Sequence, residues 1–351
     1  MTADRSPSAR PTITQIARQL DVSPATVSRA FSRPELLRPE TVQRVRDAAR
    51  DVGYVPNRHA RALSTGRTGA IGIIVPDIAN PFFPPLIRQM QNIAQERGLT
   101  VLLADTDEQP DREEAAITLL SHQVEGLLLC SSRLPSTTLR RLTVQHRIVL
   151  LNRDVPETGR VLLDTAPAVR EAVRALAGLG HRHLAYLAGP QARSWSNYQR
   201  SRAAREEAAD VGVELSTYPT VSGTYDDGHA LARTVVDAGV TAVIAFDDTL
   251  AHGFMGGLAV LGVDVPGEIS VLGCDNVLST KTHPPLSTIA VDLESAARAG
   301  MSLLLDGAGA ARPAGRMLLR SRLVLRGTVA EVCRVPQVAQ STRVAREAQV
   351  R

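Results

Sequence analysis

The chain is poor in aromatic residues. Phe, Tyr and Trp make up 3% of 351 residues, with a single Trp. Stacking surfaces are therefore scarce, and any cluster of rings carries weight. Cysteine is equally thin. Cys130, Cys274 and Cys333 are too few and too scattered for a disulfide framework or a metal cluster, which suits a reducing cytoplasm. No run approaches the roughly 18 apolar residues of a membrane span. The opening MTADRSPSAR holds no apolar stretch, which points away from secretion. Catalytic signatures are missing as well. There is no G-x-S-x-G elbow, Gly307-Ala308-Gly309 lacks the third glycine of a dinucleotide fingerprint, and no glycine-rich loop precedes Lys281-Thr282. His181 and His183 stand two apart without cysteine partners, a spacing that suits a structural role better than zinc. These gaps argue against an enzyme, and no cofactor or metal is expected.

What is present is a globular composition. Hydrophobic residues reach 44% and charged residues 22%, enough for packed cores, and the length fits about two to three domains. Charge is unevenly spread. The first 67 residues hold 12 arginines against six acidic residues, a net +6, while the whole chain is +4 and the remainder −2. A basic head on a nearly neutral body suggests a nucleic-acid-binding module.

That head has a readable pattern. Residues 1–10 lack periodicity and are expected to be a disordered arm. Thr12 and Gln15 have the spacing of a capping box, and Ile13, Ile16, Ala17 and Leu20 fall on one helical face. Asp21-Val22-Ser23 breaks the pattern. Ser23 then offers a hydroxyl cap, with Pro24 at the first helical position. Val27, Ala30 and Phe31 form the inner side of this second helix. A third runs from Pro39 to about Val52, with Val42, Val45 and Ala49 inward and Gly53 as its stop. Two short helices joined by a tight turn predict a helix-turn-helix. The start of the second helix, with Pro24, Ala25 and Arg29 outward, would enter the major groove, where Arg29 can fork onto guanine. The pattern alone leaves open a small helical domain that docks on protein.

From Gly69 the rhythm changes to short apolar runs alternating with amphipathic stretches. Strands are expected at 71–75, 100–104, 126–130, 148–151, 184–188, 242–246 and 270–273, and helical segments at 86–97 and 112–122. Such alternation means parallel sheets covered by helices on both faces. About 260 residues of it points to two lobes, with ligands beyond the carboxyl ends of strands.

Three pieces of the head, VSPATVSRAFS, ETVQRV and GYVPNRHARAL, closely resemble the LacI/GalR family of bacterial transcription regulators in order and spacing. The body carries further matches: Val75-Pro76-Asp77-Ile78-Ala79-Asn80-Pro81-Phe82-Phe83, Gly180-His181-Arg182-His183, Gly273-Cys274-Asp275-Asn276 and Pro284-Pro285-Leu286-Ser287. The similarity runs from about Thr12 to Val329. It implies an all-α helix-turn-helix head with a hinge helix, followed by an α/β two-lobed periplasmic-binding-protein-like core of parallel, Rossmann-like sheets. The divisions it implies are a DNA-binding domain over 11–56, a hinge over 57–66 and a core over 69–330. Within the core the N-lobe takes about 69–164 plus 291–322, the C-lobe about 165–290 plus 323–330, and 331–351 is a disordered tail. DNA contacts are expected from Thr12, Ser23, Pro24, Ala25, Thr26, Ser28, Arg29, Tyr54, Asn57, Ala60 and Leu63. The last of these would wedge into the minor groove at the centre of a palindrome. Ser32 stands where the family usually has Asn, and Arg38 where it often has a Ser or Thr cap.

The resemblance also implies an interlobe effector cleft. Its expected residues are Asp77, Phe82, Phe83, Asn152, Trp195, Arg200, Asp247 and Asp275. Arg200 would point into the cleft and hold two hydroxyls or a carboxylate. Phe82 and Phe83 are equally readable as plain core. Asp248, beside Asp247, could cap the following helix, and Trp195 could instead be a packing residue. Carboxylates, an arginine and an amide suit a sugar or sugar derivative; a nucleobase, or no effector at all, stays open. The tail lacks a leucine heptad, so a homodimer on double-stranded operator DNA is the expected assembly. The expected setting is the cytoplasm, on the nucleoid and not at a membrane.

Overall fold

A computed structural model describes residues 11–54, 68–190, 194–306 and 313–332. The chain divides into a unit over residues 1–69 and a second over residues 70–351.

The first unit is a three-helix head. Helix α1 (Ile13–Leu20) is capped by Thr12, whose hydroxyl accepts from the Gln15 amide at 3.3 Å. The reciprocal bond expected from the Gln15 side chain is not formed among the described residues, so the box is half made. Asp21, at φ 52°, closes the helix in the left-handed region. Ser23 then caps α2 (Pro24–Ser32), accepting from the Thr26 amide at 3.1 Å. Helix α3 (Pro39–Asp51) begins at Arg38, which forms no side-chain cap bond, consistent with the missing Ser or Thr. Ile16, Ala17, Val27, Ala30, Val45, Ala48 and Ala49 form the buried centre.

The second unit contains two six-stranded sheets, ordered β11-β5-β4-β3-β1-β2 and β12-β10-β9-β8-β6-β7. The first comprises β1 (Ala70–Val75), β2 (Thr100–Asp105), β3 (Leu127–Cys130), β4 (Ile148–Leu151), β5 (Gly159–Asp164) and β11 (Arg316–Arg320). All its pairings are parallel. The second comprises β6 (His183–Pro190), β7 (Glu214–Thr220), β8 (Ala242–Ala245), β9 (Ser270–Asp275), β10 (Ser287–Ala290) and β12 (Arg322–Val324). Here the edge strand β12 runs antiparallel to β10, a departure from the all-parallel expectation.

Strand side chains alternate in direction, so each sheet feeds two cores. In the first lobe Ile71, Ile73, Val75, Leu128 and Leu151 face helices α4 (Phe83–Glu96) and α11 (Leu293–Leu305). Ile74, Leu127, Leu129 and Leu150 face α5 (Pro110–Ser121) and α6 (Ser136–Gln145). In the second lobe Leu184, Tyr186, Ile244 and Leu272 meet α7 (Ala166–Gly178) and α8 (Trp195–Asp210). Ala185, Leu187, Val243 and Val271 meet α9 (Tyr225–Asp237) and α10 (Asp248–Leu261). Burial on both faces is why these strands read as unbroken apolar runs.

The chain passes between the sheets three times: from β5 into α7, from β10 into α11, and from β11 into β12. Two crossings are tied together, the Ser321 amide donating to the Asp164 carbonyl at 3.2 Å.

Candidate DNA-reading face and interlobe cleft

In the head, Ser23, Pro24 and Ala25 are exposed at the start of α2, and Arg29 is exposed in its last turn. Arg29 makes no ion pair or side-chain hydrogen bond among the described residues. Thr26 and Ser28 are half-buried. The Ser23 and Thr26 hydroxyls lie 2.9 Å apart, which stiffens the first turn. Thr12 is exposed at the start of α1. Tyr54 packs inward against Phe31, ring centroids 5.9 Å apart, so its ring also braces the core. Ser32 turns its hydroxyl back onto the Ser28 carbonyl at 2.9 Å. Asn57, Ala60 and Leu63 lie outside the described residues.

In the body, a cleft enclosing about 930 Å³ of empty space, part of it open solvent, lies between the carboxyl ends of the two sheets. Of the eight expected residues, Asp77, Phe82, Phe83, Asn152, Arg200, Asp247 and Asp275 line it. Trp195 does not. Ser196 and Arg200, four apart on α8, share the cleft side, and Trp195 falls on a neighbouring face of the same helix, half-buried.

Arg200 differs from expectation in another way. Its donors are largely committed within the protein. Nη2 donates to the Asp275 carboxylate at 2.9 Å, Nη1 to the Phe246 carbonyl, and Nε to the Thr165 hydroxyl at 3.4 Å. The guanidinium carbon lies 4.9 Å from the Phe246 ring centroid. Burial alone would disfavour its charge, but the surrounding acidic groups hold it protonated.

Two adjacent aspartates split their tasks, opposite to the reading that gave Asp248 the cap. Asp247 caps α10, accepting from the Leu250 amide at 2.8 Å, and receives the Asn80 amide at 3.2 Å across the cleft. Asp248 instead turns into the lobe. It accepts from Thr288 at 2.7 Å, Ser279 at 2.8 Å and the Val277 amide at 3.0 Å, pinning the loop after β9. Burial, and then the charge of Asp275, raise the Asp247 carboxyl to about 7 and that of Asp248 to about 6.

Composition hid a second guanidinium. Arg133 lines the cleft and forks onto Glu108, with Nη2 to Oε1 at 2.8 Å and Nε to Oε2. Its Nη1 donates to the Ser131 carbonyl at 2.8 Å. Beneath it the buried Glu113 accepts the Arg133 amide at 2.8 Å, and its other oxygen has no partner. Burial raises the Glu113 carboxyl above the usual carboxylate range. Asn152 donates across the cleft to the Ser196 hydroxyl at 2.7 Å.

Backbone conformation marks the same residues. Glu108 at φ 58°, Ser131 at 48°, Asn152 at 57° and Asp275 at 104° all lie in the left-handed region and all line the cleft. Such conformations cost non-glycine residues on the order of 1–3 kcal/mol and persist where surroundings over-determine them, typically at functional sites. Ser131 and Asn152 directly follow β3 and β4, and Asp275 ends β9. Aromatic rings gather here too: Phe82, Phe83, Tyr225 and Phe246 all line the cleft. His181 and His183 serve elsewhere. His181 bridges Thr241 at 2.9 Å and the Ala330 carbonyl at 3.1 Å, and His183 meets Ser216 at 2.9 Å.

A helix-turn-helix head and a two-lobed body with a polar cleft define a ligand-responsive DNA-binding regulator. Residues 12–57 match the bacterial regulatory proteins of the lacI family, and residues 173–329 match a periplasmic binding protein-like domain. The chain is 32% identical over 327 residues to the HTH-type transcriptional repressor CytR of Escherichia coli K12, covering 90% of this chain and 96% of that protein. It is 32% identical over 306 residues to the HTH-type transcriptional regulator GalS of Salmonella typhimurium, covering 85% and 90%. The fold matches the lac repressor dimer bound to operator and the anti-inducer ONPF at a TM-score of 0.83, with 23% identity over 92% of this chain and all of that one. It also matches the CelR–cellobiose complex at a TM-score of 0.66, with 26% identity over 91% and 100%. The chain belongs to the LacI family of bacterial transcriptional regulators.

Proposed function

We propose that this regulator is a repressor that binds a near-palindromic operator as a homodimer and changes its DNA affinity when a small polyhydroxylated molecule enters the interlobe cleft. The observation that carries the effector half is the coincidence, in one cleft, of four strained backbone positions with a ring of buried polar side chains. Strain maintained at that site and bonds crossing between lobes suit a cavity that closes on a ligand. The DNA half rests on the exposed Arg29 on α2 and on the family match over residues 12–57. By the same family resemblance, Asn57, Ala60 and Leu63 contact the minor groove.

The chain acts by binding and not by catalysis, in the cytoplasm and on the nucleoid. Neighbours in complex with cellobiose and lactose favour a sugar. A nucleobase-type ligand is the second reading, favoured by the four aromatic rings of the cleft in so aromatic-poor a chain. Selecting bound sequences from random DNA, with and without a panel of sugars and nucleosides, tests both halves. The expected result is a two-fold-symmetric motif whose recovery changes with one panel class. Recovery of no motif at low ionic strength would refute the reading.

A further inference from the structure

The polar groups of the cleft are already paired in a way that restricts its ligand. Four carboxylates line it, those of Asp77, Glu108, Asp247 and Asp275, against the guanidiniums of Arg133 and Arg200. Each guanidinium is spoken for, Arg133 by Glu108 and Arg200 by Asp275. Asp77 and Asp247 make no ion pair with either guanidinium among the described residues, although Arg200 lies close enough to Asp247 to favour its charged form. Asp77 accepts from the Ala79 amide at 2.8 Å, and Asp247 is held only by neutral donors.

Helix N-termini are the other natural seat for an anion. Four helices, α4, α8, α9 and α10, begin at the cleft. Three of them, α8, α9 and α10, have a first-turn amide taken by a side chain of this protein; α4 has no side-chain cap, but its Phe83 amide donates to the Asn80 carbonyl at 3.1 Å and Pro84 and Pro85 carry no N–H. Ser194 accepts from Asn197 at 3.2 Å, Thr224 from Asp227 at 3.3 Å and Asp247 from Leu250 at 2.8 Å. The guanidiniums are thus paired internally, and the helix starts have part of their donor set taken. A phosphate or carboxylate entering here would meet more carboxylates than guanidiniums and would have to break an existing ion pair to find a cationic partner.

We infer that the effector carries no negative charge: the cleft selects a neutral or amine-bearing molecule rich in hydrogen-bond donors and refuses phosphate esters and carboxylates. This rests on the effector reading above and specifies the ligand's charge class. Hydroxyl or ammonium donors would bind Asp77 and Asp247, and ring faces would pack on the phenylalanines.

The test uses inorganic phosphate as the probe, on the full-length protein, by calorimetric titration at ionic strength held constant with chloride. Phosphate uptake by the arginine-rich head is subtracted with Arg133→Gln and Arg200→Gln, which remove the cleft guanidiniums one at a time. The wild type is expected to show no uptake that either variant removes. Glu108→Gln unpairs the Arg133 fork at nearly constant volume, and Asp275→Asn does the same for Arg200. At least one of these should bind phosphate at least tenfold tighter than the wild type. Glu108 lies nearer the surface than Asp275, so the two variants do not share one folding risk. Wild-type uptake that Arg133→Gln or Arg200→Gln abolishes overturns the inference, and so does the absence of any gain in both carboxylate variants. The effector reading is judged separately, by operator release with a neutral sugar or nucleoside, and its failure would leave the phosphate result standing.

Discussion

At the scale of single residues, three side chains carry the clearest tests. Arg29 is exposed and unpaired among the described residues, in the last turn of the helix expected in the major groove. Arg29→Ala is expected to cost about 1–3 kcal/mol per specific contact, and a gel shift on the selected operator measures it. Asp247 offers a pH test. Its carboxyl sits at about 7 in the folded protein against an ordinary 3.8, so folding takes up a proton between those values. The associated stability is complete below the ordinary value and lost as the pH rises through about 7. Asp247→Asn removes that titration. Denaturation of both proteins from pH 5 to 8 should show the wild type losing stability relative to the variant as pH rises. Asp248 persists in both and cancels to first order. The third residue, Leu63, lies outside the described segments; Leu63→Ala should reduce DNA bending more than it weakens effector binding, read by bend-sensitive gel mobility.

At the scale of elements, α9 and α10 show what sets the cleft's floor. Their backbones approach so closely that a Cβ on Gly253 would stand 1.9 Å from the Tyr225 carbonyl oxygen, and one on Gly228 2.3 Å from that of Leu250. Helix propensity alone would make Gly253→Ala favourable by up to about 1 kcal/mol. Backbone overlap of this kind costs more, about 1–3 kcal/mol or above. The variant should melt earlier and bind effector more weakly, because Tyr225 and Thr249 at the two helix starts both line the cleft. Elements differ in how legible they are. The head helices were readable because caps, Pro24 and the apolar spacing agree. Central strands were readable because they are buried on both faces. Strands β5, β7, β10, β11 and β12 escaped, β10 because it is short and opens on Ser287 and Thr288. β11 is largely exposed, β7 alternates Ser, Thr and Pro at a sheet edge, and Gly159 with Arg160 interrupts β5. Edge pairing supplies the order that their own side chains do not signal.

At the scale of the whole molecule, the lobes are linked by three chain crossings and held together across the cleft by Asn80 to Asp247 and Asn152 to Ser196. A net contribution of about 1 kcal/mol per bond makes the pair sufficient to shift an open–closed balance. The double variant Asn80→Ala, Asn152→Ala should therefore need roughly thirtyfold more effector to alter operator binding, measured by titrating the operator complex.

The amino-acid order alone determined the architecture: a capped helical head with an outward arginine, then apolar runs long enough for covered parallel sheets. These follow from local rules, since caps, turns and burial periodicity are written within a few neighbouring positions. The division of labour inside the cleft was decided only by folding. Arg133 is 25 residues from Glu108, and Arg200 is 75 from Asp275. Whether a guanidinium faces a ligand or a carboxylate depends on which strand ends lie side by side, and no short stretch of chain encodes that.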